Sequence, residues 1–359
     1  MEYNYSEEPI QSTVSEVVSL WNTSLGSHFP LEEQLYRQQA LFKAHNSKEH
    51  NSALFVARQK TEGEKTEGGR MVGAALARMD AAFAGTQQPN AGNPASRLTG
   101  YVSFVVVAPD KRGKGIGTEL LSLAESWCKD QGAQILRLGS DYPHFFPGVP
   151  VSIPPQESSL LGGAPFSEDV AVSDFFTKRG FRIDWTEYDL IADLTSIDLG
   201  SSPSEVFAQP DFSFSLCSDR LRPATLEFLS ASFPGRWYQE MVDGFENGLQ
   251  NEDVALAVQN GSEKVVGFAR IGNRMSSHLS PGLFWRGLLG SNSGALGPIG
   301  VDRSCRGKGL GLALLRASLS ELKRRGVDLT VIDWTDLVGF YGKLGFQPWK
   351  AYRGMSKQL

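Results

Sequence analysis

The sequence predicts an α/β protein (α+β, on mixed sheets) made of two consecutive copies of one fold. Three observations predict this. A basic, glycine-rich turn occurs twice, as RGKGIG at Arg112–Gly117 and as RGKGLG at Arg306–Gly311. Each copy follows a strand-like apolar run and opens a segment with helical periodicity. A second motif, FFTKRGF at Phe175–Phe181, returns as FYGKLGF at Phe340–Phe346.

The first half opens on helical material, SEVVSLWNTSLGSHFPLEEQLYRQQALFKAH, followed by two strands, SALFVARQ and MVGAALARMD. QKTEGEKTEGG and AFAGTQQPNAGNPAS read as solvated loops. YVSFVVVAPD is a strand that leads into the first turn. After it, Leu120, Leu121, Ala124, Trp127 and Cys128 share one helical face. Gly132 stands where a helix C-cap glycine belongs, and AQILRLGS is the next strand. The second half repeats this order. RPATLEFLSASFPGRWYQEMVDGFENG is helical, DVALAVQ and KVVGFARI are strands, and GALGPIGVDR leads into the second turn. Leu312, Leu315, Leu319 and Leu322 form its helical stripe, Gly326 its C-cap and DLTVIDW its closing strand.

The turns and cap glycines superpose at a shift of 194 residues (112 to 306), the later motifs at only 165 (175 to 340). The difference is an insert in the first half, within 141–170, rich in proline and aromatic residues. A loop of that length inside a compact domain is functional or disordered, and the aromatic HFFPGVP points to a functional one. At 359 residues the chain is long for one domain. The repeat divides it into an N-terminal domain over 1–197, a linker over 198–210 and a C-terminal domain over 211–359.

Composition narrows the function classes. Hydrophobic residues make up 41% and charged residues 21%, as in ordinary globular proteins. The net charge of −5 gives no reason to expect a nucleic-acid partner. No apolar run reaches the roughly 20 residues that span a bilayer, so no membrane partner is expected. The start, MEYNYSEEPIQS, lacks the layout of a secretory signal. The expectation is a cytoplasmic protein, a nuclear pool being left open. Cys128, Cys217 and Cys305 are scattered and odd in number, which implies free thiols, and neither they nor the five histidines have metal-ligand spacing. No metal is expected.

A strand running into closely spaced glycines and then a helix aims several main-chain N–H groups at one point, where the helix dipole also favours an anion. Glycine lets the main chain come close, because no Cβ intervenes. Two phosphate-site families fail here. A Walker turn needs a Gly-Lys-Ser/Thr ending that neither copy has, and a dinucleotide fingerprint needs a third glycine where Thr118 and Leu312 stand.

The pattern that fits is Arg-x-x-Gly-x-Gly, at Arg112, Gly115 and Gly117 and again at Arg306, Gly309 and Gly311. With the FYxKxGF segment it resembles the GNAT superfamily of acetyl-CoA-dependent N-acyltransferases, over most of both halves. The resemblance implies two consecutive GNAT folds and acetyl-CoA as cosubstrate. The coenzyme pyrophosphate would lie on Arg306, Gly307, Lys308, Gly309, Leu310 and Gly311. In the first half the corresponding cradle is Arg112, Gly113, Gly115 and Gly117. The strand before the second turn would place Ile299 and Val301 beside the thioester, an N–H of one of the two polarising the carbonyl. Tyr341 would be the acid for the departing thiolate. The first half has Phe176 there, which cannot donate a proton, so that half is expected to be non-catalytic unless another acid such as Tyr142 serves.

An ammonium has no lone pair, so an acceptor amine must lose a proton before it attacks. Asp333 is the expected base or amine-binding carboxylate, with Asp336 the runner-up. The insert and FPGRWY at Phe233–Tyr238 are similar to GNAT proteins that acetylate glucosamine or glucosaminides. That likeness implies an amino-sugar acceptor, with Trp237, Trp334, Phe145 and Phe146 offering apolar faces. Two other readings stay open, a protein-lysine (histone) acetyltransferase and a non-catalytic acetyl-CoA sensor or scaffold. Nothing in the sequence sets the oligomeric state.

Overall fold

The computed structural model describes residues 3–41, 52–60, 69–79, 98–141, 145–153, 169–199, 211–278 and 281–359. Most of the expected linker lies outside them, as do the greater part of the insert and both solvated loops. The first half runs β1 (Tyr3–Glu8), α1 (Val14–Leu25), α2 (Glu33–Ala40), β2 (Ser52–Gln59), β3 (Arg70–Met79), β4 (Thr99–Val107), α3 (Ile116–Asp130), β5 (Ile135–Leu138), β6 (Val149–Val151), α4 (Asp169–Thr177) and β7 (Arg182–Asp193). The second runs β8 (Phe212–Leu216), α5 (Arg222–Ser232), α6 (Arg236–Glu246), β9 (Val254–Gln259), β10 (Val265–Asn273), β11 (Ser293–Val301), α7 (Leu310–Arg324), β12 (Leu329–Thr335), α8 (Val338–Tyr341) and β13 (Gln347–Gln358). The mixed α/β class and the repeat are as the sequence predicts.

Local signals explain the shared elements. In α3, Ile116, Leu120, Leu121, Ala124 and Cys128 are buried, one face of a 3.6-residue period. The matching face of α7 is Leu310, Ala313, Leu314, Leu315, Ser318, Leu319 and Leu322. Leu312, expected in that stripe, lies at its margin. Gly132 and Gly326 have φ +88° and +77°, the left-handed conformation that ends a helix at low cost in glycine. Cys128, Cys217 and Cys305 are free and buried.

The described strands join into one sheet in the order β1-β2-β3-β4-β5-β13-β7-β12-β11-β10-β9-β8, with β6 pairing off this path to β13. The order is palindromic about its middle, and the middle is an exchange. β13, from the end of the chain, pairs antiparallel with β5 of the first half (Gln358↔Ile135 to Met355↔Leu138). β7, from the first half, pairs antiparallel with β12 of the second (Asp193↔Leu329 to Leu190↔Ile332). At the 165-residue shift β7 coincides with β13 end to end. Each half thus hands its last strand to the other's sheet. The expected domain bounds divide the chain by repeat, whereas the sheet crosses them.

Phe145 and Phe146, expected against the acceptor, are 1% and 5% exposed. Phe146 stacks on Trp21 (5.2 Å), and Phe145 meets Phe104 edge-on (5.3 Å) and Phe284 (6.0 Å). Burying a phenyl side chain is worth about 1.5–3 kcal/mol, and each aromatic pair adds about 0.5–1.5 kcal/mol. That is the reason for the correction: these rings hold the two halves together, leaving no face for a ligand. Tyr142, which the sequence also singled out, lies outside the described residues.

Candidate active site

The second turn forms as its sequence requires. Gly307 and Gly309 have φ +76° and +81°, and a Cβ on Gly307 would meet nothing within 4 Å. The space in front of the turn is open. Arg306 and Lys308 are exposed beside it, and Gly309 is the N-cap of the 15-residue α7. Leu310 points its side chain into the core, so it can serve an anion only through its main chain.

The strand before the turn is equally prepared. Asp302 donates its N–H to the Val266 carbonyl (2.8 Å). Hydrogen-bonded and non-hydrogen-bonded pairs alternate along antiparallel strands. Val301, opposite Gly267, and Ile299, opposite Ala269, therefore turn their N–H groups away from β10 and toward β12. The parallel pairing of β11 with β12 is confined to Ser293–Ala295 against Leu329–Val331. Beyond it the two strands part, and the N–H groups of Ile299 and Val301 face the opening. These residues fit an extended pantetheine arm with its pyrophosphate on the turn. Gly309→Ala is expected to raise the acetyl-CoA KM about 5–30-fold, the equivalent of the 1–2 kcal/mol left-handed penalty, as checked by steady-state kinetics and direct CoA titration.

Asp333 stands at the mouth of the opening. A Cβ on Gly297 of β11 would lie 3.3 Å from its Oδ1. The pairing of β12 with β7 shows why: Ile332 opposes Leu190 and Thr335 opposes Tyr188, so Asp333 and Trp334 together face the single residue Asp189. Such a bulge re-aims side chains. Burial, then the like charge of Asp189, raises the Asp333 carboxyl to about 7, against the pull of Arg236. Asp189 itself is pushed up to about 6 by burial, although the Tyr352 hydroxyl and the Trp334 N–H, both donating to it, work the other way.

Trp334 has φ +46°, a conformation that costs a residue with a Cβ about 1–3 kcal/mol. Its N–H donates to Asp189 Oδ1 at 3.1 Å, and a hydrogen bond to a charged group is worth about 1.5–3 kcal/mol, enough to hold the strain. One face of the Trp334 ring carries the Arg236 guanidinium, 4.0 Å from the centroid, and Arg236 in turn donates to Glu240. Asp336 is exposed on the following turn. Glu187, two residues before Asp189, is raised to about 7 by burial and then by Asp336. Trp237 is half-buried against Phe233 (5.0 Å) and Phe268 (5.9 Å); it belongs to the helical layer over β10 and β11.

Tyr341 on α8 is 5% exposed between Phe340 (5.0 Å) and Phe346 (6.0 Å). Burial first, then Asp333 and Asp336, push its phenol well above the ordinary tyrosine value, so it holds its proton. The structure brings Asp333, Asp336, Tyr341 and Trp334 into one electrostatic neighbourhood. It adds Glu187, Asp189 and Arg236, which sequence reasoning did not place there.

The first half keeps the glycine turn and differs at the positions that match Tyr341, Asp333 and Asp189. Gly113 and Gly115 have φ +74° and +82° with nothing within 4 Å of a Cβ. Phe176 packs against Phe175 and Phe181 (5.0 and 5.8 Å), just as Tyr341 packs in the second half. At the shifts of 194 and 165, Asp333 corresponds to Gly139, Trp334 to Ser140 (φ +65°) and Asp189 to Gly354. A Cβ on Gly139 would lie 2.4 Å from the Phe146 carbonyl, and one on Gly354 would meet the Trp185 ring at 2.0 Å. The insert and Trp185 fill the places where the carboxylates would stand.

Among the described residues no group of three His, Cys, Asp and Glu is placed to hold a metal ion, and no helix is long and apolar enough to cross a membrane. The model of the Acetyltransferase (GNAT) family matches residues 15–145 and 222–346. No curated protein matches the sequence significantly. Among solved structures, the chain is similar to the glucosamine N-acetyltransferase region of a fungal multi-domain β-N-acetylglucosaminidase (TM-score 0.80, 24% identity), covering 99% of this chain and 38% of that one. The chain therefore spans well under half the length of that fungal protein. A tandem GNAT protein of the clavulanic acid biosynthesis pathway (TM-score 0.64, 17% identity) covers 99% of this chain and 98% of its own. A GCN5-related N-acetyltransferase of Sphaerobacter thermophilus (TM-score 0.63, 16% identity) covers 99% and 95%. At these identities the likeness is one of fold.

Proposed function

We propose, from the premise that the chain belongs to the Acetyltransferase (GNAT) family and is an N-acetyltransferase, that its second half acetylates a primary amine on an amino sugar such as glucosamine. The observation that carries the reading is the Asp333 carboxylate, raised to about 7 and set beside β11 where that strand parts from β12. A base poised near neutrality suits the removal of a proton from an ammonium.

Acetyl-CoA, when bound, supplies an activated acetyl thioester. Arg306–Gly311 hold its phosphates through main-chain N–H groups and two exposed cations. The N–H groups of Ile299 and Val301 hold the arm and polarise the carbonyl. Asp333 takes the proton of the acceptor ammonium, and the amine attacks directly, with no acylated residue. Tyr341, kept protonated by burial, gives a proton to the sulfur as the C–S bond breaks, and its phenoxide regains one from the newly acetylated nitrogen. Asp336 and Glu187 draw a cationic acceptor toward Asp333, and the Trp334 ring takes the C–H surface of a sugar ring. The first half, with Gly139, Phe176 and Gly354 at the matching places, shapes the second and does no chemistry.

The fungal structure's own acceptor, glucosamine, agrees with this choice. At 24% identity it adds support through fold alone, and the carboxylates and aromatic ring carry the rest. The test is a competition in which the protein receives acetyl-CoA with glucosamine and a lysine peptide together, thiol release and product masses being followed. N-acetylglucosamine as the main product is the expected result. Acetylated peptide alone would replace the sugar by lysine, and coenzyme binding without thiol release would replace the enzyme by a sensor.

A further inference from the structure

Asp189 lies on β7, a strand of the first half, yet its carboxylate is engaged within the second half's site. Its Oδ2 accepts the Tyr352 hydroxyl of β13 at 2.6 Å, and that hydroxyl accepts the Trp285 indole N–H at 3.2 Å. Its Oδ1 accepts the main-chain N–H of Trp334 at 3.1 Å. Trp334 directly follows Asp333 and has a left-handed φ of +46°. It also belongs to the bulge that makes two β12 residues face one on β7. The side chain is 4% exposed, so water cannot replace these donors without opening the seam between β7 and β12.

We propose that Asp189 is a positioning residue: delivered from the first half, it clamps the main chain at Trp334, fixes the placement of the Asp333 carboxylate and presents it with a like charge. The inference rests on the reading of Asp333 as the base. It gives the strand exchange a purpose, because β13, the strand of the second half that matches β7, could not supply this carboxylate from the matching position. At the matching position β13 has Gly354. Asp333 is faced by Asp189 on β7, by Arg236 and Glu240 on α6, and by Tyr341 on α8. Asp189 is faced by Lys350 and Tyr352 on β13 and by Glu187 on its own strand.

Asp189→Asn in the full chain separates charge from shape, since the amide keeps an oxygen for one donor and nearly the same volume. With the like charge gone, Asp333 releases its proton more readily. The acid limb of the kcat–pH profile is expected to move down by about one pH unit. The plateau kcat should fall several-fold, while the acetyl-CoA KM stays within about twofold, because the cradle lies on other elements. Asp189→Glu keeps the charge and disturbs the clamp, so its limb is expected to stay in place while kcat falls. An unmoved limb in Asp189→Asn, or a limb displaced as far by Asp189→Glu, would overturn the proposal. Should Asp189→Asn fail to fold, the Asp189→Glu limb alone decides. If Asp333→Asn is inactive and the Asp189 limb does not move, only this inference falls; if Asp333→Asn is fully active, the base assignment falls first.

Discussion

Asp333→Asn is expected to lower kcat by about two to four orders of magnitude, the range that a positioned general base contributes. CoA affinity should hardly change, since the turn and β11 are untouched. The pH dependence gives the sharper reading. The carboxyl stands at about 7 because it is buried and faces Asp189, and it must be ionised to accept a proton. Wild-type kcat should therefore rise with pH through about 7 and be lost below it, some three pH units above where an ordinary aspartate of pKa about 3.9 would act. In Asp333→Asn this limb should vanish, leaving only the ionisation of the acceptor amine. Glu187 is the competitor, because it too stands at about 7. Full activity in Asp333→Asn together with an inactive Glu187→Gln would transfer the role to it.

The legible part of this protein is its local part. Paired glycines at Gly307 and Gly309, the stripe on α7, and strands such as SALFVARQ and DVALAVQ are set by short-range sterics and periodicity, and each formed where its residues demanded. Strand partners are a non-local choice. Nothing within EYDL marks Asp189 for β12, and nothing within QPWKAYRGMSKQ sends β13 to β5. The aromatic insert misled for a related reason: HFFPGVP has the composition of a ligand-binding loop and of a core equally, and only the neighbouring rings Trp21, Phe104 and Phe284 decide.

A usable signal for the missed residues did exist in the repeat, in its differences more than in its likenesses. Reading the copies against each other pairs Tyr341 with Phe176, Asp333 with Gly139 and Asp189 with Gly354. Positions that only pack stay apolar in both, such as Phe340 and Phe175, or Phe346 and Phe181. A polar group present in one copy and missing from the other is therefore where packing does not explain the residue. By that rule Asp189 stands beside Tyr341 as a group that packing alone does not explain, although no motif surrounds it.

Tyr341→Phe is the second large effect. The substitution removes one oxygen and retains the ring that Phe340 and Phe346 hold, so folding should survive. The matching site in the first half already packs a phenyl group in the same manner. Loss of the proton donor is expected to depress kcat by about 100-fold or more, with both Michaelis constants little altered. An acceptor pathway that did not need to protonate the sulfur would show almost no loss, and that outcome would remove Tyr341 from the mechanism. Phe176→Leu is the proper control. It keeps an apolar side chain at a position 9% exposed, whereas Phe176→Ala would cost about 3–5 kcal/mol of stability and confuse unfolding with chemistry. A fall in kcat for Phe176→Leu as deep as that for Tyr341→Phe would mean that both halves take part in the reaction. A fall confined to Tyr341→Phe would place the proton transfer in the second half, on the side of the sheet that β7 completes.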